Sequence, residues 1–262
     1  MAETTFRPGT PCWLDLMTSD VQGAREFYGR LLGWEFQTGD EEKYGGYVMS
    51  LLNGQPVAGI MGKQPEQADM PDVWSTYLGV EDAAATLEAV SAHGGTVLMP
   101  AMDVPEQGVM AIIMDPGQAT VGVWQPTGMS GFGLSGEPGA PYWHELFTAN
   151  FGPTLDFYRT VFGWDVSMMS DTDEFRYATL GEGMDASAGV MDASALVPAQ
   201  MPPHWRVYFE VQDANAAAEL VAELGGRVLD GPEDTPYGRI LTAQDPFGAV
   251  FLLAQNLGGW KG

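Results

Sequence analysis

Two stretches of this chain carry the same text. Residues 11–35 read PCWLDLMTSDVQGAREFYGRLLGWE and residues 141–165 read PYWHELFTANFGPTLDFYRTVFGWD. Trp13 matches Trp143, Asp15 matches Glu145, Phe27-Tyr28 match Phe157-Tyr158, and Gly33-Trp34 match Gly163-Trp164, the second of each pair lying 130 positions after the first. The correspondence continues through Gly59-Ile60-Met61 with Gly189-Val190-Met191, Trp74 and Tyr77 with Trp205 and Tyr208, Gly94-Gly95 with Gly225-Gly226, and Asp115-Pro116 with Asp245-Pro246. An offset of 130 or 131 over so much of the chain means duplication of a unit of ordinary domain size, too long for a solenoid repeat. We expect two fused domains, at residues 11–125 and 141–256. A Gly-, Pro- and Ser-rich connector at 126–140 has the composition of a flexible linker, with Phe132 and Leu134 as residues able to dock on a domain.

Each unit is itself built of two rounds. From Cys12 the residues alternate, with Leu14, Leu16 and Thr18 on one face and Trp13, Asp15 and Met17 on the other, which predicts a strand buried on both sides. Asp20 then caps a helix whose apolar positions run from Val21 to Leu32 until Gly33 stops it. Strands at 47–52 and 57–61 follow, around the Asn53-Gly54 turn. A second round opens at Trp74, with a cap at Asp82, a helix over 83–93, and strands at 96–99, 109–114 and 120–124. The second unit repeats the order, with strands at 142–148, 175–180, 188–191, 205–211, 227–229, 238–243 and 249–254 and helices near 153–162 and 214–224.

Composition narrows the possible partners. With 35 acidic and 11 basic residues, the formal charge is −24, a surface that repels phosphate backbones and anionic lipid, so neither nucleic acid nor membrane is expected. A single cysteine, Cys12, excludes an intrachain disulfide and has no basic neighbour to activate it. The N-terminal MAETTFRPGTP lacks the apolar run of a signal peptide, and no later run has the length of a membrane span, so a cytoplasmic location is expected.

The SDVQGAREFYGRLLGW stretch, its FYRTVFGW counterpart, and the two Asp-Pro turns, DPGQATVGVW and DPFGAVFLLA, resemble the vicinal oxygen chelate superfamily of glyoxalases, bleomycin-resistance proteins and extradiol dioxygenases. The resemblance is strongest to two-domain glyoxalase-like proteins of actinobacteria, variously labelled hydroxylases or linked to methylglyoxal detoxification and antibiotic resistance. It implies an α+β fold of tandem glyoxalase-like domains, in which four βαβββ rounds form cup-shaped mixed sheets with helices outside and a small-molecule ligand within. How the rounds pair in space, and whether the chain is a monomer or a homodimer, stay open. Metal enzymes of that superfamily take His, Gln and Glu ligands from positions that fall here on Trp13, Ser75 and Gly122 and on Trp143, Arg206 and Leu252. None of these six is a good ligand for a divalent ion, so no metal and no other cofactor is expected.

Extending the alternation puts Trp13, Asp15, Met17, Tyr77 and Trp124 inside one cup, and Trp143, Glu145, Phe147, Arg206, Tyr208 and Glu210 inside the other. Apolar walls with a few placed polar groups are the makeup of a ligand pocket. Trp13, Tyr77, Trp124, Trp143, Phe147, Arg206, Tyr208 and Glu210 are therefore candidate ligand contacts. Asp15 and Glu145 are candidate general bases or acids, because a carboxyl on a concave aromatic surface has its pKa raised by desolvation. Each also suits a purely structural role, accepting hydrogen bonds from its neighbours. Arg206 stands where the first unit has Ser75, so it is either half of a buried ion pair or a receptor for an anionic ligand. His93 fits a helix C-terminus and His144 the helix-facing side of its strand, while Tyr237 and Arg239 fit either a cup mouth or a solvated hairpin. Two functions compete: a glyoxalase-like enzyme acting on an aldehyde or secondary metabolite, and a module that sequesters an aromatic drug or metabolite.

Overall fold

A computed structural model describes residues 7–194 and 202–256, so the first six residues of the N-terminal lead-in lie outside it. The first unit runs β1 (Pro11–Thr18), α1 (Val21–Leu32), β2 (Glu35–Thr38), α2 (Glu41–Tyr44), β3 (Val48–Leu52), β4 (Gln55–Gly62), β5 (Val73–Gly79), α3 (Ala83–Ala92), β6 (Thr96–Val104), β7 (Gly108–Met114) and β8 (Thr120–Pro126). The second runs β9 (Pro141–Thr148), α4 (Phe151–Phe162), β10 (Val166–Asp171), β11 (Arg176–Leu180), β12 (Ala188–Asp192), β13 (His204–Glu210), α5 (Ala214–Glu223), β14 (Arg227–Thr235), β15 (Gly238–Gln244) and β16 (Val250–Gln255). Four rounds of strand, helix and three strands are therefore present. The strands β2 and β10 and the short α2 escape the periodicity, because the edge segment EFQT is largely exposed and carries no alternating signal.

Local chemistry sets the element boundaries. Asp20 Oδ1 accepts from the Gly23 amide at 2.9 Å, and Gly33 ends α1 at φ 75°, a left-handed conformation glycine adopts without a Cβ penalty. Asp82 and Asp213 cap α3 and α5 in the same way. Each unit folds into one eight-stranded mixed sheet, in the order β2-β3-β4-β1-β5-β8-β7-β6 for the first and β10-β11-β12-β9-β13-β16-β15-β14 for the second. The two rounds of a unit meet at an antiparallel central pair, β1 with β5 and β9 with β13. The concave side of each sheet is the cup, and the helices lie on the convex side.

The convex cores ignore the sequence boundary between units. Leu14, Leu16, Phe27, Tyr28, Ile60 and Trp74 of the first unit pack with Phe209, Val221, Phe251 and Leu253 of the second. The other core joins Leu78, Val90, Ile113 and Val123 of the first unit to Leu155, Tyr158, Trp164 and Val190 of the second. Burying each such aromatic side chain stabilises the fold by about 2–3 kcal/mol, and its partners come from both halves of the chain. Two matching polar chains tie the cores together. Trp74 Nε1 donates to the Tyr28 hydroxyl at 3.0 Å, which donates to Asp245 at 3.1 Å; Trp205 Nε1 donates to the Tyr158 hydroxyl at 3.2 Å, which donates to Asp115 at 3.0 Å. The aspartate of each Asp-Pro turn thus closes its own turn, accepting from Ala119 or Ala249, and also receives the tyrosine of the other unit's first helix.

The connector is a docked strap, where its composition alone suggests a flexible linker. The amides of residues 127–129 donate to the Gln107 carbonyl, the Phe132 amide donates to Cys12 at 2.9 Å, and the Gly133 amide donates to Pro56 at 2.7 Å. It therefore crosses from the end of β8 to the starts of β1 and β4, at one end of the first cup. The Phe132 ring is buried against Trp13, with centroids 5.7 Å apart. Among the described residues no helix is long and apolar enough to cross a membrane.

Candidate functional site

Both cups repeat one polar constellation. In the first, Asp15 faces Ser75 across the central pair, and its Oδ1 accepts from the Tyr47 hydroxyl at 2.5 Å and from Trp13 Nε1 at 3.0 Å. In the second, Glu145 faces Arg206, its Oε1 accepts from the Tyr177 hydroxyl at 2.8 Å, and its Oε2 accepts from the Tyr208 hydroxyl at 2.7 Å. Trp143 Nε1 donates to Tyr177 at 3.1 Å. Each acid and its tryptophan lie on one face of the first strand of the unit, two residues apart; Tyr77 and Tyr208 come from the adjacent β5 and β13, while Tyr47, just before β3, and Tyr177 on β11 reach over the intervening β4 and β12.

Tyr47 and Tyr177 are absent from the sequence-based set of site residues. The signal for them was the common offset of 130 together with the repeated Gly59 and Gly189, each of which lies beside the tyrosine across β3–β4 or β11–β12. A Cβ at either glycine would overlap the tyrosine hydroxyl, so the hydrogen-bonded ring requires glycine there.

Burial pushes the carboxyls of Asp15 and Glu145 above their usual range. For Glu145 the two tyrosine hydrogen bonds and the charge of Arg206 pull partly the other way. The four tyrosines are themselves pushed well above the phenol range by burial and by the carboxylate beside them. Each cup therefore holds a carboxyl whose neutral form is favoured over that of a solvated one.

The cups differ in free space. A cavity of about 520 Å³ opens in the second, lined among others by Trp143, Glu145, Phe147, Tyr177, Arg206, Tyr208 and Leu252, with Tyr237 at its mouth. Tyr237 is 40% exposed, whereas Arg239 pairs with Asp234 at 2.7 Å, which divides the two readings of that hairpin. Strand registers explain the opening. Met49 and Gly59 pair as Thr179 and Gly189 do, Ile112 and Gly122 as Thr242 and Leu252 do, and Met110 and Trp124 as Ile240 and Ala254 do. Two threonines and an alanine thus replace methionine, isoleucine and tryptophan on the second cup's wall, a loss of bulk offset in part by Leu252 in place of Gly122. In the first cup Trp13, Tyr77 and Trp124 belong to one continuous apolar cluster with Met49, Met110, Ile112 and the strap residues Met129 and Phe132. Trp124 Nε1 donates to the Met129 carbonyl at 2.8 Å.

The predicted site residues therefore fall into two groups. Trp143, Glu145, Phe147, Arg206 and Tyr208 converge on the cavity, while Trp13, Asp15, Tyr77 and Trp124 stand together in the first cup. Glu210 does not line the cavity; its backbone pairs with residues 139 and 140, and burial and the nearby Glu137 push its carboxyl up. His93 closes α3, with its Nδ1 at 2.9 Å from the Ala89 carbonyl. His144 is buried on the convex side, 3.4 Å from Thr76 Oγ1. Among the described residues, no group of three or more His, Cys, Asp or Glu side chains stands close enough together to hold a metal ion.

Comparison with known proteins gives the same architecture. The family model described as the glyoxalase/bleomycin resistance protein/dioxygenase superfamily matches residues 12–123 and again 143–253. The putative glyoxylase CFP32 of Mycobacterium tuberculosis (strain CDC 1551 / Oshkosh) is 39% identical over 249 residues, 94% of each chain. The anthracycline biosynthesis protein DnrV of Streptomyces peucetius is 34% identical, covering 98% of this chain and 97% of that one. Among solved structures, the Mn(II)-bound glyoxalase from Novosphingobium aromaticivorans superposes with a TM-score of 0.64 at 17% identity, over 96% of this chain and 83% of that one. The 2,3-dioxygenase LapB from Pseudomonas sp. KL28 does so with a TM-score of 0.64 at 16% identity, over 94% and 92%. With two family matches that span both sheets, and relatives alike over almost their whole length, the chain belongs to the glyoxalase/bleomycin resistance protein/dioxygenase superfamily.

Proposed function

We propose that the second cup is the working site of a small-molecule enzyme that moves a proton on a carbonyl-bearing secondary metabolite, with Glu145 as the proton-transfer group. The observation that carries this reading is a buried carboxyl, held between Tyr177 and Tyr208, on the wall of an open, largely aromatic cavity. Each oxygen of a carboxylate has more than one lone pair, so both tyrosine bonds leave room for a substrate proton. The tyrosines keep the acid oriented, and Arg206 stabilises negative charge that develops nearby.

The superfamily's metal does not fit this chain. The positions that carry ligands in its metal enzymes hold indole, hydroxymethyl and no side chain in the first unit, and indole, guanidinium and isobutyl in the second. A guanidinium has no lone pair to give and repels a cation. The mechanism therefore uses the protein's own acid and hydroxyls. The relatives named for glyoxylase activity and for anthracycline biosynthesis support a substrate with carbonyl groups and an aromatic body.

Deuterium incorporation next to a carbonyl, followed by mass spectrometry in D₂O over a panel of methyl-bearing dicarbonyls and polycyclic aromatic methyl ketones, tests the proposal. Glu145→Gln should lower the exchange rate at least 100-fold, and a chelator should leave it unchanged. Exchange abolished by the chelator and restored by added metal, or exchange indifferent to Glu145→Gln, would refute it. A second reading, sequestration of an aromatic metabolite without turnover, is favoured by both oxygens of Glu145 already accepting hydrogen bonds. Tight binding without exchange would assign the cup to that role.

A further inference from the structure

Arg206 is the one cationic side chain among the described residues that line the cavity, and its charge acts on Glu145 and Tyr208. It lines the second cup, its guanidinium carbon lies 3.3 Å from the centroid of Phe147, and its Nε is 3.3 Å from His204 Nε2. It makes none of the ion pairs found among the described residues. Glu145, its cross-strand partner, is occupied by two tyrosines. A guanidinium stacked on a ring keeps its planar fork of donors at a fixed angle, and a half-buried one has given up part of its hydration. Nothing in the first unit corresponds to it, since Ser75 stands there, and that cup's wall carries Met49, Ile112 and Trp124 where the second has Thr179, Thr242 and Ala254. The cation and the cavity thus occur together, in the same unit.

We infer that Arg206 is the docking point for a carboxylate on a flat aromatic ligand, whose rings lie between Trp143, Phe147 and Tyr208. This rests on the second cup being the working site. Three acids also border the cavity: Asp230 and Glu233 are exposed on β14, where solvent and salt screen them, and Glu145 has its two oxygens taken up by Tyr177 and Tyr208, in a buried setting that favours its neutral form. Arg206 sits on the low-dielectric wall, so its charge is far less screened inside the cup than those of the two exposed acids.

Isothermal titration calorimetry with three probes of one shape, 2-naphthoate, 2-naphthamide and 2-naphthylmethylammonium, tests the inference. The carboxylate should bind at least tenfold more tightly than the neutral amide, the usual gain from a charge-assisted hydrogen bond. Arg206→Gln should bring 2-naphthoate down to the affinity of the amide and leave the amide unchanged, so that the amide reports an intact fold. Arg206→Lys should keep only part of the preference, since a lysine supplies charge without the stacked fork. Thr179→Met with Thr242→Ile, which places the first cup's larger side chains at two positions of the second cup's wall, should weaken binding of all three probes at least tenfold. Equal affinity for acid and amide, or strongest binding of the ammonium, overturns the role of Arg206 while the cup stands as a site. Binding of no probe, or undiminished binding to the filled variant, overturns the second cup as the site and this inference with it.

Discussion

His144 shows how much a single ring contributes when it is sealed between sheets. It stacks near Phe132, with centroids 5.7 Å apart, and burial pushes its pKa from 6.5 down to about 3. The folded protein therefore holds it neutral, whereas the unfolded chain takes up a proton below pH 6.5. Its contribution to stability is complete above pH 6.5 and is lost as pH falls from there toward 3, by roughly 1.4 kcal/mol for each pH unit. Denaturant titrations at pH 7, 6 and 5 should show the stability difference between wild type and His144→Asn shrinking by that slope; parallel curves would contradict the sealed, neutral ring. The alternation of β9 already placed this histidine on the helix side, and the same rule placed Trp143, Glu145 and Phe147 in the cup. Tyr47 and Tyr177 were harder to read, because their role depends on a hydroxyl crossing over the intervening strand at Gly59 or Gly189, and strand order is not written in a period of two. Arg206 was legible as an asymmetry between units, but its stacking on Phe147 depends on the rotamers of both.

At the scale of elements, the strap from Thr127 to Ala140 departs furthest from its composition. Glycine, proline and serine suggest a loose tether, yet these residues let the backbone lie close against the sheet. At Gly131, with φ 126°, a Cβ would overlap the Cys12 carbonyl. Phe132 supplies the anchor, with 7% of its surface exposed. Phe132→Ala should cost about 3 kcal/mol in denaturant unfolding, as expected for a buried aromatic truncated to alanine, and should make Trp13 accessible to acrylamide quenching. Unchanged stability and quenching would mean that the strap does not close the first cup. The main helices were readable from caps and stops, as Asp20 and Gly33 show for α1. The edge strands β2 and β10 were not, since an exposed strand has no apolar face to announce it.

For the whole molecule, duplication was legible and the crossing of the cores was not. Periodicity reveals that α1 has an apolar face with Phe27 and Tyr28, but not that Phe251, 6.0 and 5.5 Å away from those two rings, comes from the other unit. Each cup belongs to one unit, whereas each core needs a round from both. Residues 1–126 or 141–262 produced alone should therefore fail to give a cooperatively unfolding monomer, and mixing the two fragments should restore near-UV circular dichroism. A monomeric fragment with a sharp unfolding transition would show that the shared cores are dispensable.

The crossed cores also bear on descent. An ancestor that held a single copy would have had a bare convex face and needed a twin to cover it, so its folding depended on concentration. Joining the copies through a short strap makes that encounter intramolecular. Once the pair was covalent, selection no longer acted on two identical hollows, and their walls differ: methionine, isoleucine and indole stand in one where two threonines and an alanine stand in the other, and Ser75 in one where Arg206 stands in the other.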